Sequence, residues 1–197
     1  MVTIQQYSVE DSCKELLAWI ERLRKLDECD EKDLRAYFSR NNVWVENPET
    51  VGSFMVDGAE SYVYKGYDEK EVFKFKRCRT DSIRELATIL GGVLNHNKCF
   101  PDTYYTLIGF SSYERDVLGT IRFGVVLRQE FVKGEFATHE QILTHLKKEG
   151  FTLLRTDADG HILALKNGFQ VTDLKSANAI VANNRVYIID CCVVKYE

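Results

Sequence analysis

The chain has 197 residues, 45% of them hydrophobic, enough for a real core, and a mildly acidic formal net charge of −4, so nothing global points to a nucleic-acid or anionic-membrane partner. No apolar run approaches the ~18 residues of a membrane span, and the opening MVTIQQYSVEDS lacks the basic start and apolar run of a signal peptide. The six cysteines (Cys13, Cys29, Cys78, Cys99, Cys191, Cys192) form no C-x-x-C pair, so they read as free thiols of a cytoplasmic protein.

Residues 1–46 read as a separate helical extension. Ser8-Val9-Glu10-Asp11 is an N-cap signature, and Leu16, Leu17, Ile20 and Leu23 then recur at helical spacing. Asp30 is positioned to cap a second helix carrying Leu34, Tyr37 and Phe38. The pair would cover apolar surface on the main domain or on a partner. Asn47-Pro48-Glu49 breaks the pattern, because a residue before proline avoids helix.

Three strands follow over 51–76: VGSFMVDG, ESYVYKGY and EVFKFK. The turn Asp57-Gly58-Ala59 joins the first two. Period-2 geometry puts Val72, Lys74 and Lys76 on one face of the third strand and Phe73 and Phe75 on the other. Plainly read, both lysines are solvated. Asp81 to Asn95 reads as a helix with an apolar stripe of Ile83, Leu86, Leu90 and Leu94, with Glu85 as its one glutamate. Gly91-Gly92 weakens it and suggests a close contact. His96 has no second His or Cys at ligand spacing and reads as structural.

IRFGVVLRQEFV, from Ile121 to Val132, is a buried-strand pattern. Thr138-His139-Glu140-Gln141 is a capping box opening a helix through Leu146, with Gly150 as its stop. Phe151 to Leu165 reads as a hairpin around Asp157-Ala158-Asp159-Gly160, where the calcium-loop pattern is incomplete.

The last stretch, VTDLKSANAIVANNRVYIID, carries the chemistry. Asp173, Lys175 and Asn178 share one short loop. AIVA-NN-RVYIID is a hairpin, since Asn183-Asn184 tolerates the positive φ that tight turns need. Folding it brings Asn178 beside Asp190. An amide oxygen next to a carboxylate is a hard-oxygen set that suits Mg²⁺. The plainer reading of Asp173 and Asn178 is loop capping.

The D-L-K-x-x-N spacing from Asp173 to Asn178, followed by a hairpin and Asp190, resembles the catalytic loop and metal-binding aspartate of the protein kinase superfamily. Two departures stand out. Val171-Thr172 replaces the His-Arg pair before the first aspartate, and Cys191-Cys192 replaces the Phe-Gly after the second. His96 to Phe110 follows an H-N-x-x-F-P-x-T-x-Y-x-L-x-G-F pattern. This phrase is similar to the kinase domains of polyvalent proteins of phages and conjugative elements.

The resemblance covers roughly residues 52–190 and implies an α+β kinase-like fold. It implies an N-terminal helical extension over 1–46, an antiparallel N-lobe with one helix over 47–132, and a reduced C-lobe over 133–197. ATP would bind in the cleft between the lobes. Lys74, with Lys76 as the fallback, would hold its α- and β-phosphates, oriented by Glu85. Gly58 would lie in the loop over the phosphates and Val72 on the adenine side. Glu130 and Val132 would contact adenine through main chain, with Gln129 at the gatekeeper place. Asn178 and Asp190 would hold Mg²⁺. Asp173 would orient or deprotonate an acceptor hydroxyl, and Lys175 would neutralise the transferring phosphoryl group.

Seven residues follow Asp190 here, without the activation segment and helical lobe of a full protein kinase. The implied activity is ATP- and Mg²⁺-dependent phosphotransfer to an unidentified hydroxyl acceptor. The alternative is a catalytically silent module that binds nucleotide or a protein partner. A third reading, an interaction domain without nucleotide, leaves the polar residues as loop caps.

Overall fold

The computed structural model describes residues 8–26, 31–58, 60–78, 82–114 and 121–196. The chain forms two compact units. One comprises Met1–Gly91 and Tyr105–Phe131, the other Gly92–Tyr104 and Val132–Glu197. Helices combine with sheets whose paired strands are all antiparallel.

The first unit is built on a five-stranded sheet. Its strands are β1 (Gly52–Asp57), β2 (Ser61–Gly66), β3 (Glu71–Arg77), β4 (Thr106–Glu114) and β5 (Ile121–Glu130), in the order β1-β2-β3-β5-β4. β3 is therefore central, between β2 and β5. One face carries Tyr64, Phe75 and Val126 as a buried cluster, with Tyr62 and Phe73 packed against it. Tyr62 stacks nearly parallel to Phe75, which is its partner in the ladder.

Helices α1 (Val9–Arg24) and α2 (Glu31–Arg40) belong to this same unit. Ser8 caps α1 as expected, its hydroxyl accepting from the Asp11 amide at 3.1 Å. The buried stripe is Leu16, Trp19, Ile20 and Leu23, an i, i+3, i+4, i+7 set. Leu17 is not part of it. It is 48% exposed, because it sits one position (about 100°) round from Leu16, and Trp19 takes its place. Leu34 and Phe38 are buried on α2. Phe38 stacks on Phe110 of β4 with centroids 4.0 Å apart, and Trp19 meets Phe110 at 5.4 Å. The helices thus cover this chain's own sheet. The expected Asp30 cap, Cys29 and Ala59 lie outside the described residues.

Helix α3 (Ile83–Cys99) buries Ile83, Leu86, Leu90 and Leu94, the expected stripe. Asp81, its expected start, lies outside the described residues. The helix runs past the expected end at Asn95, so His96 and Asn97 stand on its last turn. Both are buried, and Pro101 ends the pattern. Gly91 and Gly92 mark no close contact, since a Cβ at either meets no atom within 4 Å.

The second unit contains β6 (Glu135–Phe136), α4 (His139–Lys148), β7 (Thr152–Thr156), β8 (Ile162–Lys166), β9 (Phe169–Leu174), β10 (Ala179–Ala182), β11 (Arg185–Ile188) and β12 (Cys192–Lys195). They form two sheets, β11-β10-β6 and β12-β9-β8-β7. The capping box of Thr138 and Gln141 is complete, and Gly150 stops α4 at φ +81°. Asp157 accepts amides from Asp159 and His161, a hairpin turn as read from sequence. Asn183 and Asn184 take φ of 49° and 61°, the paired positive values of a tight hairpin. Ile142, Leu146, Phe151, Ile162, Ala164, Val171, Leu174, Ala179, Ile188 and Val193 make one core.

Candidate active site

Asp173 does not lie in a loop. It is the penultimate residue of β9 and adopts φ +57°, a left-handed conformation that a non-glycine residue rarely holds. The β8–β9 register is irregular there, with Val171 opposite Ala164 and Leu174 opposite Ile162. Lys175 leads into a short 3-10 turn over Ser176–Asn178, and β10 begins at Ala179. Three side chains then converge. Lys175 Nζ lies 2.7 Å from Asp173 Oδ1. Asn178 Nδ2 donates to Asp173 Oδ2 and to its main-chain carbonyl, each at 2.8 Å. Both carboxylate oxygens of Asp173 are thus oriented, while its side chain stays 43% exposed. At this exposure the ion pair aims the carboxylate more than it stabilises the fold.

The hairpin delivers Asp190 to the same place. Ala179 pairs with Ile188, so the Asn178 carbonyl accepts from the Ile189 amide at 2.9 Å and from the Asp190 amide at 3.4 Å. Asp190 is not the strand end, because β11 closes at Ile188. β12 then pairs with β9, Cys192 opposite Thr172. This pairing, not legible beforehand, returns the chain from Asp190 to the residue next to Asp173. Asp190 Oδ1 accepts from the Cys191 amide at 3.0 Å.

The donor set fits Mg²⁺. With its nitrogen committed to Asp173, Asn178 keeps an amide oxygen as acceptor, and Asp190 supplies a carboxylate. Magnesium prefers such hard oxygens and takes few protein ligands beside phosphate and water. Among the described residues no three or more His, Cys, Asp or Glu side chains gather as a larger metal centre.

The other candidates stand mainly in the first unit. Lys74 is only 5% exposed, against the plainer reading of a solvated strand lysine. It pairs with Val63 on β2 and Leu127 on β5, and its ammonium donates to the Tyr105 hydroxyl at 2.8 Å. Lys76 is half-buried. Val72 shares the face of Lys74 and is buried opposite Gln129. Glu85, half-buried, lies in the first turn of α3, where its amide donates to the Ser82 carbonyl and hydroxyl. Gly58 closes the β1–β2 hairpin, its amide donating to Ser61 O at 2.9 Å and its carbonyl accepting from Arg77. Glu130 is the exposed last residue of β5, and half-buried Val132 follows in the second unit.

Sequence reasoning gave His96 a structural role without its partners. Its Nε2 lies 3.1 Å from the Thr103 carbonyl and its Nδ1 3.4 Å from Cys191 Sγ. The missing signal for Cys191 was pairing across 95 residues, which local spacing does not carry. Among the described residues no helix is long and apolar enough to cross a membrane.

A family model described as Serine/Threonine/Tyrosine Kinase found in polyvalent proteins matches residues 27–196. No curated protein and no solved structure matches the chain.

Proposed function

Because the chain belongs to the Ser/Thr/Tyr kinases found in polyvalent proteins, we propose that it is an ATP- and Mg²⁺-dependent phosphotransferase acting on a hydroxyl acceptor. The observation that carries this reading is the grip of Lys175 and Asn178 on Asp173, with the Asn178 carbonyl bonded to the segment bearing Asp190. Asp173 orients the acceptor hydroxyl and takes its proton. The acceptor oxygen bonds to the γ-phosphorus, the bond to the β–γ bridging oxygen breaks, and ADP leaves. Lys175, beside Asp173, compensates negative charge on the transferring group.

Asn178 and Asp190 would hold the metal, which would supply charge neutralisation on the phosphates. Lys74 engages the α- and β-phosphates, and Glu85 orients it. Val72 lines the adenine side. Main chain at Glu130 and Val132 meets adenine. Gly58 lies over the phosphates. A second reading, nucleotide binding without transfer, draws support from Gly58, whose amide is already committed to Ser61 within its own turn.

The test is thermal unfolding with ATP, with and without Mg²⁺, in the parent chain and in Asp190→Ala, together with ADP release and phosphate incorporation. ATP at 100 times its dissociation constant stabilises the native state by about 2.7 kcal/mol. Magnesium-dependent stabilisation lost in Asp190→Ala, with ADP release, supports phosphotransfer. Stabilisation without ADP release or phosphate incorporation supports the second reading. No stabilisation of well-folded protein at millimolar ATP overturns both.

A further inference from the structure

Residues Ile189 to Cys191 lie between β11 and β12 and belong to no strand. Yet this segment carries Asp190. What fixes it is a set of side chains from the C-terminal turn of α3 and the short 3-10 turn after it. Thr103 Oγ1 donates to the Ile188 carbonyl at 2.6 Å, on one flank of Asp190. Asn95 Nδ2 donates to the Val193 carbonyl at 3.2 Å, on the other. His96 Nδ1 meets the Cys191 thiol between them, at 3.4 Å.

The partners of His96 assign its tautomer. Its Nε2 faces the Thr103 carbonyl, and a carbonyl only accepts, so Nε2 carries the proton. Nδ1 is then the acceptor, and the Cys191 thiol donates to it. His96 itself is 2% exposed and packs beside Phe100, so the imidazole is a fixed post. The Cys191 amide in turn donates to Asp190 Oδ1. His96 therefore anchors the side chain of Cys191, and the main-chain amide of the same residue donates to the carboxylate of Asp190.

We infer that His96 and Cys191 are positioning residues, which hold the Asp190 carboxylate at the place where the divalent cation of the proposed phosphotransfer is bound. The inference rests on the phosphotransfer reading. Partners one step behind a metal ligand orient it, and their loss typically weakens metal affinity about 10- to 100-fold. Cys191 stands where the kinase pattern has the phenylalanine after its metal-binding aspartate. Here a thiol held by a buried imidazole fixes the residue whose main-chain amide orients the carboxylate.

The test measures the Mg²⁺ concentration that gives half of the ATP-dependent rise in melting temperature, in the parent chain, Cys191→Ala, Cys191→Ser and His96→Asn. Melting without nucleotide in EDTA and far-UV circular dichroism report folding separately. The expected result is a rise of about 10-fold in that Mg²⁺ concentration for Cys191→Ala, with Cys191→Ser, which keeps a donor, close to the parent. His96→Asn provides the second perturbation should Cys191→Ala fold poorly. A merely structural role would lower the melting temperature in EDTA and leave the Mg²⁺ midpoint unchanged, and that result overturns the inference alone. A parent chain that gives no Mg²⁺-dependent response to ATP overturns the phosphotransfer reading as well.

Discussion

The side-chain nitrogen of Asn178 donates to both the carboxylate and the main-chain carbonyl of Asp173, at 2.8 Å each. One amide group therefore fixes the side chain and the backbone of a residue held at φ +57°. Replacing Asn178 with Ala removes both bonds and releases that conformation. The expected stability loss is about 1–3 kcal/mol, since one of the two acceptors is charged. ADP release falls to background at the same time. Urea denaturation and an ADP assay on the same preparation check the two effects.

A substitution at Lys74 tests binding apart from folding. Its ammonium is buried against Tyr105, over whose ring it also sits at 5.0 Å. Lys74→Met keeps the length and apolar stem of the side chain, and removes the charge. It abolishes ATP-dependent stabilisation while shifting the melting temperature without ATP by only a few degrees. Lys76→Met, at a half-buried position on the same face, affects the ATP response much less. A larger loss in Lys76→Met would exchange their roles.

Three glycines divide by the space around them. Gly91 and Gly92 lie within α3, and an added Cβ meets nothing within 4 Å. Gly91→Ala and Gly92→Ala each stabilise the chain by about 0.5–1 kcal/mol, the usual helix preference for alanine. At Gly134 a Cβ would stand 2.1 Å from the Val181 carbonyl oxygen on β10. Gly134→Ala drives β6 off β10 and destabilises. Denaturation midpoints of the three variants should therefore differ in sign.

His145 makes the second unit sensitive to mild acid. Burial on α4 pushes its pKa below the ordinary 6.5, with Glu149 partly opposing this. The unfolded chain therefore binds the proton more readily than the folded one. Stability is full above about pH 7 and declines as the pH falls through 6.5 toward the lower folded value. His145→Gln flattens this part of the profile. Melting temperatures from pH 8 to 5 measure it.

Cys99 shows the opposite sense at alkaline pH. Burial raises its thiol from 9.0 to about 11, so it stays protonated in the folded chain. Its contribution is whole below pH 9 and is lost as the pH rises toward 11. In native protein at pH 8, iodoacetamide labels exposed Cys192 and spares Cys99, as peptide mass mapping will show.

The sequence by itself determined the local chemistry. Caps, turns and periodicity depend on neighbours a few residues apart, so Ser8, the Thr138–Gln141 box and the Asn183-Asn184 turn were legible, as were the strands around Lys74. The D-L-K-x-x-N spacing likewise put Asp173, Lys175 and Asn178 on one short stretch, and the hairpin pattern carried Asp190 back beside Asn178. Tertiary structure alone decided three things. Period-2 geometry puts Lys74 and Lys76 on one face without saying which is buried; the centre of a five-stranded sheet buries Lys74. Helix α1 was legible, but that the i, i+3, i+4, i+7 set with Trp19 faces the sheet, leaving Leu17 exposed, was decided by packing against Phe110. The links from His96 to Cys191 and from β12 to β9 join residues far apart in the chain, and only packing brings such groups within hydrogen-bond reach.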